Sequence, residues 1–175
     1  MKKSIVLSAL LFVLAPIFAN EHGFKFDVGA SCSIMLKPYV YEQVGYSYKW
    51  DSGFFVGGDI RVSENIIPSS KAEPIFYFMG GPTLGYKNFY LSGGVFFFNN
   101  MTSIKDTFFY IRTGANFSPW QWGKGKGGMD IALEFSPTRY IPSTENSLEN
   151  GLVTLFGTIF NFVKLNVGVT YFLPL

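Results

Sequence analysis

The chain has 175 residues, of which 48% are hydrophobic and 19% aromatic but only 15% charged, where a soluble domain carries about a quarter charged residues. Phe occurs 20 times, Tyr 10 and Gly 19, a composition far from that of helical bundles. It excludes a disordered tail and a coiled coil, and Cys32 as the only cysteine excludes a disulfide-stapled scaffold.

The chain opens with basic Met1-Lys2-Lys3, an apolar stretch from Ile5 to Phe18, and small Ala19 before polar Asn20-Glu21. This reads as a secretory signal peptide over residues 1–19, leaving residues 20–175 as one domain. Ile17 makes the cleavage motif imperfect, so a cut a few residues away stays open. The apolar core is short for a membrane anchor. Gly29-Ala30-Ser31-Cys32 is not read as a lipidation site, because Lys25 and Asp27 separate it from the apolar stretch. Loss of Lys2 and Lys3 leaves the basic residues equal to the 12 acidic ones. A neutral mature chain argues against nucleic-acid binding through a broad basic face.

From Phe24 onward the pattern has period two. Phe24, Phe26, Val28, Ala30, Cys32 and Ile34 alternate with Lys25, Asp27, Gly29, Ser31 and Ser33, which predicts a strand with two unlike faces. Weaker alternation predicts a second strand over Tyr39 to Trp50, and Phe54 to Val62 a third. Ile75 to Lys87 and Phe89 to Phe98 give the fourth and fifth. Phe109, Ile111, Thr113, Ala115 and Phe117 mark the sixth, and Met129, Ile131, Leu133 and Phe135 the seventh. The stretch Leu152 to Phe172 is interrupted by Asn161, Lys164 and Asn166 and alternates in its latter half, so it reads as one long final strand. A hidden hairpin near Asn161 would give ten strands instead of eight. Asp51-Ser52-Gly53 reads as a three-residue hairpin loop with Gly at positive φ, and Lys87-Asn88 as a two-residue turn. Longer connections over Ser63 to Pro74, Asn99 to Asp106 and Pro137 to Asn150 alternate with these, so one rim has tight turns and the other loops.

The expected fold is therefore all-β, an antiparallel up-and-down transmembrane barrel of eight strands. A soluble sandwich or lipocalin-like barrel would present a Lys/Glu-rich outer face. Here the polar face is Gly, Ser, Thr and Asn with sparse charges of both signs, which suits the crowded interior of a small barrel. Phe24, Trp50, Phe54, Tyr86, Phe89, Phe117, Trp120, Trp122 and Tyr171 fall at the tight-turn rim, and Phe76, Phe78, Phe97 and Phe109 toward the other. Two such levels are the expected interfacial girdles.

Signal peptide, strand rhythm, short turns on one rim and the closing Leu165-Asn166-Val167-Gly168-Val169-Thr170-Tyr171-Phe172 together resemble the small eight-stranded outer-membrane barrels of Gram-negative-type bacteria, the OmpX/OmpW-like group and the OmpA-type barrel. The resemblance covers nearly the whole mature chain. It implies location in the outer membrane, contact with its lipids, and passage through the barrel-assembly machinery. The closing strand resembles the terminal assembly signal of such proteins, but ends Leu173-Pro174-Leu175 where an aromatic residue is usual.

Inside the barrel, Lys25, Asp27, Asp59, Arg61, Arg112, Asp130, Glu134 and Lys164 are predicted to face the lumen. Ions in a narrow interior need partners, and Arg112, Glu134 and Lys164 are expected to form a Glu134-centred network near Asp59 and Arg61. It either seals the lumen or lines a small conducting path. Toward the loop rim, inward Tyr77, Phe96, Phe98, Phe108, Tyr110, Phe156 and Phe160 are expected to form a hydrophobic pocket. The OmpW-like resemblance implies passage of small apolar solutes there. Gly80-Gly81-Pro82 opposite Gly93-Gly94 is expected to be a weak seam leaking sideways into the bilayer.

Enzymatic activity is not expected. The one histidine, His22, precedes the first strand and offers no base beside a nucleophile. Asp130 and Glu134 are read as ion-pair partners. No metal-ligand cluster or cofactor motif is present, and Gly123-Lys124-Gly125-Lys126-Gly127-Gly128 lacks the pattern of a phosphate loop and reads as a flexible basic turn. The rival function is adhesion through the loops, chiefly Pro137 to Asn150 with Arg139, Tyr140, Glu145 and Glu149, or Ser63 to Pro74 with Ile66-Ile67. A closed barrel leaves no edge, so a monomer is expected, with no further domain after the eighth strand.

Overall fold

The computed structural model describes residues 21–34, 36–67, 76–98, 108–136 and 162–175. Its strands are β1 (Glu21–Ser33), β2 (Pro38–Lys49), β3 (Phe54–Asn65), β4 (Phe76–Tyr86), β5 (Phe89–Phe98), β6 (Phe108–Trp122), β7 (Gly125–Phe135) and β8 (Val163–Pro174). Each pairs antiparallel with the next, and β8 pairs back to β1, closing an up-and-down barrel. A ring of eight leaves no place in the sheet for the ten-strand alternative.

Register explains why the alternation matters. Across the closing seam Phe24 faces Leu173, Val28 faces Val169 and Cys32 faces Leu165, while Asp27 faces Thr170 and Ser31 faces Asn166. Apolar pairs with apolar on the outside, and polar or small with the same inside. A slip of one residue would turn all of them over. The outward side chains are exposed: Val28, Ile60, Leu84, Leu91, Ile111, Ile131, Val167 and Val169 form an aliphatic belt. At the tight-turn end it is bordered by Phe24, Phe54, Tyr86, Phe89, Phe117, Trp120 and Trp122, and at the loop end by Phe76, Phe78, Phe97 and Phe109.

The turns follow their residues. Gly53 has φ of 87° and its N–H donates to the Trp50 carbonyl, while Trp50 N–H donates to the Phe54 carbonyl, which closes the three-residue loop. Lys87-Asn88 joins Tyr86 to Phe89 as paired residues. The Gly/Lys run is not a long turn, however. Only Gly123 and Lys124 turn, and Gly125 to Gly128 already belong to β7. Gly123 at φ of 59° supplies the tight reversal, and the neighbouring glycines leave room for partners: a Cβ on Gly125 would strike the Tyr171 ring. A register shift between Phe117 and Trp120 accommodates Ser118 and Pro119, a bulge of the kind that admits proline in a sheet. At the other end, β8 begins at Val163, after a bend at Phe162. Residues 152–161, including Phe156 and Phe160, lie outside the described residues.

Inward glycines fill close contacts at two of the strand seams. At the β1–β8 seam Gly29 faces Gly168, and a Cβ on Gly29 would lie 2.6 Å from Gly168 Cα. Between β4 and β5, a Cβ on Gly81 would lie 2.7 Å from Gly94 Cα, and one on Gly94 2.1 Å from the Gly80 carbonyl oxygen. These seams are half the ring apart. At both, the strands come so close that a side chain on either inward glycine would enter the neighbouring backbone. Replacing Gly94 with Ala puts a methyl group into backbone, an overpacking that costs roughly 1–3 kcal/mol. At outward Gly80 the same Cβ finds its nearest neighbour at an ordinary 3.4 Å. Thermal unfolding in detergent, followed by loss of the β circular-dichroism signal, is expected to shift down for Gly94→Ala and hardly at all for Gly80→Ala.

Candidate functional site in the lumen

The inward face of every strand feeds one continuous polar interior. Arg61 and Glu134 side chains are each 1% exposed and are joined across the barrel from β3 to β7, Nη1 donating to Oε2 at 3.0 Å. Arg61 Nη2 donates to Asn166 Oδ1 on β8, and its guanidinium lies over the Tyr41 ring, 3.6 Å from the centroid. Lys164 approaches the other Glu134 oxygen at 3.5 Å and donates to Ser136 Oγ at 2.9 Å, while Ser136 donates to Glu134 at 2.7 Å. This is a buried triad of two cations and one carboxylate.

Arg112 does not join it, although Arg112 and Glu134 are register partners. Its Nη2 donates to Asp59 Oδ2 at 3.0 Å and its Nη1 to Gln43 Oε1 at 2.6 Å, both on the opposite face. Asp59 also accepts from Thr83 at 2.7 Å. Its neighbourhood offers a carboxylate unshared with another cation, whereas Glu134 already serves two. The predicted Glu134-centred network is thus two separate clusters, each tying one face to the other.

A third cluster lies nearer the tight-turn rim. Lys25 sits 3.2 Å from Asp130 and 3.5 Å from Asp27, and Tyr90 donates to Asp130 at 2.7 Å. Asp27 is held by charge, since neither of its oxygens accepts a hydrogen bond from a described residue.

The aromatic constellation is packed on itself. Tyr39, Tyr77, Met79, Phe96 and Tyr110 form one buried cluster, with Tyr77 edge-on to Tyr39 at 5.5 Å and stacked on Phe96 at 5.6 Å. Lys164 Nζ lies over the rings of Tyr39, Tyr77 and Phe96 at 4.9, 5.4 and 5.6 Å. A buried ammonium facing three rings gains cation–π attraction on each. The predicted pocket is thus shared with a cation of the ionic network. Phe98 stands opposite Tyr77, and Phe108 opposite Phe96, in the strand registers.

At the proposed seam, β4–β5 pairing runs from Tyr77 to Gly80, lapses at Gly81 and Pro82, and resumes at Thr83. The lapse falls opposite Gly93 and Gly94 as expected, but the backbones press together there. The glycines serve a close approach as well as an interrupted ladder. Tyr39, Tyr41, Gln43, Tyr90, Asn166 and Ser136 are participants that sequence reasoning did not single out. Their only signal was their place on the inward parity of each strand. The adhesion loop Pro137 to Asn150 lies outside the described residues, as do residues 68–74 of the other.

Compared with known proteins, the chain matches no family model, no curated protein and no solved structure.

Glu134 neutralises two buried cations, so Glu134→Gln leaves both uncompensated. Removing one partner of a buried pair costs about 3–5 kcal/mol. Lys164→Met leaves the Arg61–Glu134 pair intact and is expected to cost less. Urea unfolding from lipid vesicles, followed by tryptophan fluorescence, is expected to rank the losses in that order; equal losses would mean that Lys164 and Arg61 are not neutralised by one carboxylate.

Proposed function

We propose that the chain is an integral membrane β-barrel of the outer-membrane type, exported by its signal peptide, whose lumen is held shut by ion pairs. Its role in this reading is that of a structural or low-conductance barrel, monomeric, surrounded by outer-membrane lipid and delivered by the barrel-assembly machinery. It performs no enzymatic step. The observation that carries the reading is the pairing of two opposed surfaces in one wall: an aliphatic belt bordered by aromatics outside, and ions linked from face to face inside. Such a belt is what a bilayer stabilises and water does not. Strands of 10 to 15 residues are long enough to cross the hydrocarbon core when tilted. The belt also speaks against the soluble barrel, whose apolar face would point inward.

Passage of apolar solutes is the weaker form of the proposal, because Tyr77 and Phe96 are fully buried against each other and against Lys164. Flux would require the aromatic cluster and the Arg61–Glu134 tie to open together.

Two measurements test the proposal. In cell fractionation the protein is expected to remain with outer membranes through alkaline carbonate extraction; release into the soluble fraction overturns the membrane assignment. In planar bilayers the purified barrel is expected to give no unitary current or only a small one, and a stable channel of porin-like conductance would overturn the ion-paired lumen.

A further inference from the structure

Below the ionic clusters, the lumen opens into a vestibule at the tight-turn rim, a cavity of about 240 Å³. It continues between the Asp51–Gly53 and Lys87–Asn88 turns as a second hollow of about 490 Å³. Its existence follows from residue size. Where the lumen is filled by Tyr41, Arg61 and Tyr77, the inward positions nearer this rim are Gly45, Gly57 and Gly85 on three successive strands. Phe55 reaches over Gly85, since a Cβ there would meet its ring at 2.2 Å. With Tyr90 and Phe172, it gives the cavity flat apolar walls.

The charges on these walls are unevenly paired. Lys25, Lys49, Lys87, Arg112 and Lys126 line the cavity, against the carboxylates of Glu21 and Asp59. Three of the cations are engaged: Lys126 with Glu21 at 3.1 Å, Arg112 with Asp59, and Lys25 with Asp27 and Asp130 beneath it. Among the described residues, Lys49 and Lys87 have no carboxylate partner, although both reach the cavity and the outer hollow. Lys87 Nζ lies 5.3 Å from the centroid of the Tyr86 ring. With Asp27 and Asp130 beneath and Asp51 on the outer hollow counted, the five cations meet five carboxylates, and what sets the mouth apart is that Lys49 and Lys87 are the lining cations with no carboxylate in contact among the described residues.

We propose that this vestibule is a binding site for a small anion that carries a flat apolar group, such as an aryl phosphate or aryl carboxylate. Lys49 and Lys87 take the anionic head at the mouth, and the flat group enters between Phe55, Tyr90 and Phe172. Ser47 offers a hydroxyl beside it. Two ammonium groups without a carboxylate in contact are what would draw an anion to the mouth. The site is reached from the tight-turn side, short of the Arg112–Asp59 tie, so occupancy needs no passage through the barrel.

The experiment uses the full barrel refolded in nanodiscs of neutral lipid, with phenyl phosphate as probe and benzylammonium as its cationic counterpart. Because it reads binding by backbone amide shifts, it is independent of the membrane in which the protein resides. Phenyl phosphate is expected to move the amides of residues 45, 57 and 85 saturably and more weakly as salt rises. Each lost charge-assisted hydrogen bond weakens binding by about tenfold or more, so Lys49→Gln and Lys87→Asn are each expected to do so. Asparagine is chosen because Lys87 has φ of 54°, a conformation asparagine tolerates. An unchanged amide spectrum away from the rim shows that each variant folds. The proposal is overturned if benzylammonium binds as well as phenyl phosphate, if the shifts do not saturate, or if neither variant weakens them. It is also overturned if phosphatidylglycerol added to the discs displaces the probe, since the occupant would then be a lipid headgroup.

Discussion

An eight-stranded barrel has an interior only wide enough for side chains, and ions placed there cannot rely on bulk water. They must find each other across the lumen or not be there at all. This constraint organises the structure. Arg61, Arg112 and Lys25 each reach a carboxylate that does not belong to the neighbouring strand. The wall can then be thin and glycine-rich, because its two faces are tied through the middle.

The ties also explain how a neutral set of ions is distributed. Arg61 and Lys164 around Glu134 leave one cation over, Arg112 and Asp59 balance, and Lys25 between Asp27 and Asp130 leaves one anion over. The surplus cation falls in the aromatic cluster, where Lys164 faces three rings. The aromatic residues near the loop end are therefore part of the electrostatics, and not an apolar space set apart from it. The surplus anion falls under Lys25, next to a vestibule whose other cations outnumber its acids. Each local imbalance thus lies beside something that offsets it.

Much of this was legible in the sequence, because a two-faced strand writes its orientation into every second residue. The eight strands, the Asp51–Gly53 and Lys87–Asn88 turns and the inward parity of all eight ions follow from alternation alone. Alternation does not say which ion meets which. Arg112 and Glu134 are neighbours in register yet bond elsewhere, because partner choice depends on lumen geometry and on how many cations a carboxylate already serves. The glycines were misread for a related reason. In Gly123 to Gly128 they look like a loop, but a small closed barrel needs glycine inside strands wherever backbone or a ring comes close. The vestibule was invisible because it is made by residues without side chains.

Cross-lumen pairs also bear on how the barrel reaches one register. A hairpin such as β6–β7 can slip without breaking a bond to its own neighbour, because ladder hydrogen bonds reform two residues along. A pair linking β3 to β7, or β6 to β2 and β3, cannot reform that way, since a slip anywhere in the intervening strands moves the two groups apart along the axis. The buried charge left behind would be costly. Ion pairs between non-adjacent strands therefore penalise wrong closure in a way that neighbour contacts do not. This gives the lumen charges a structural reason to exist whether or not anything passes between them.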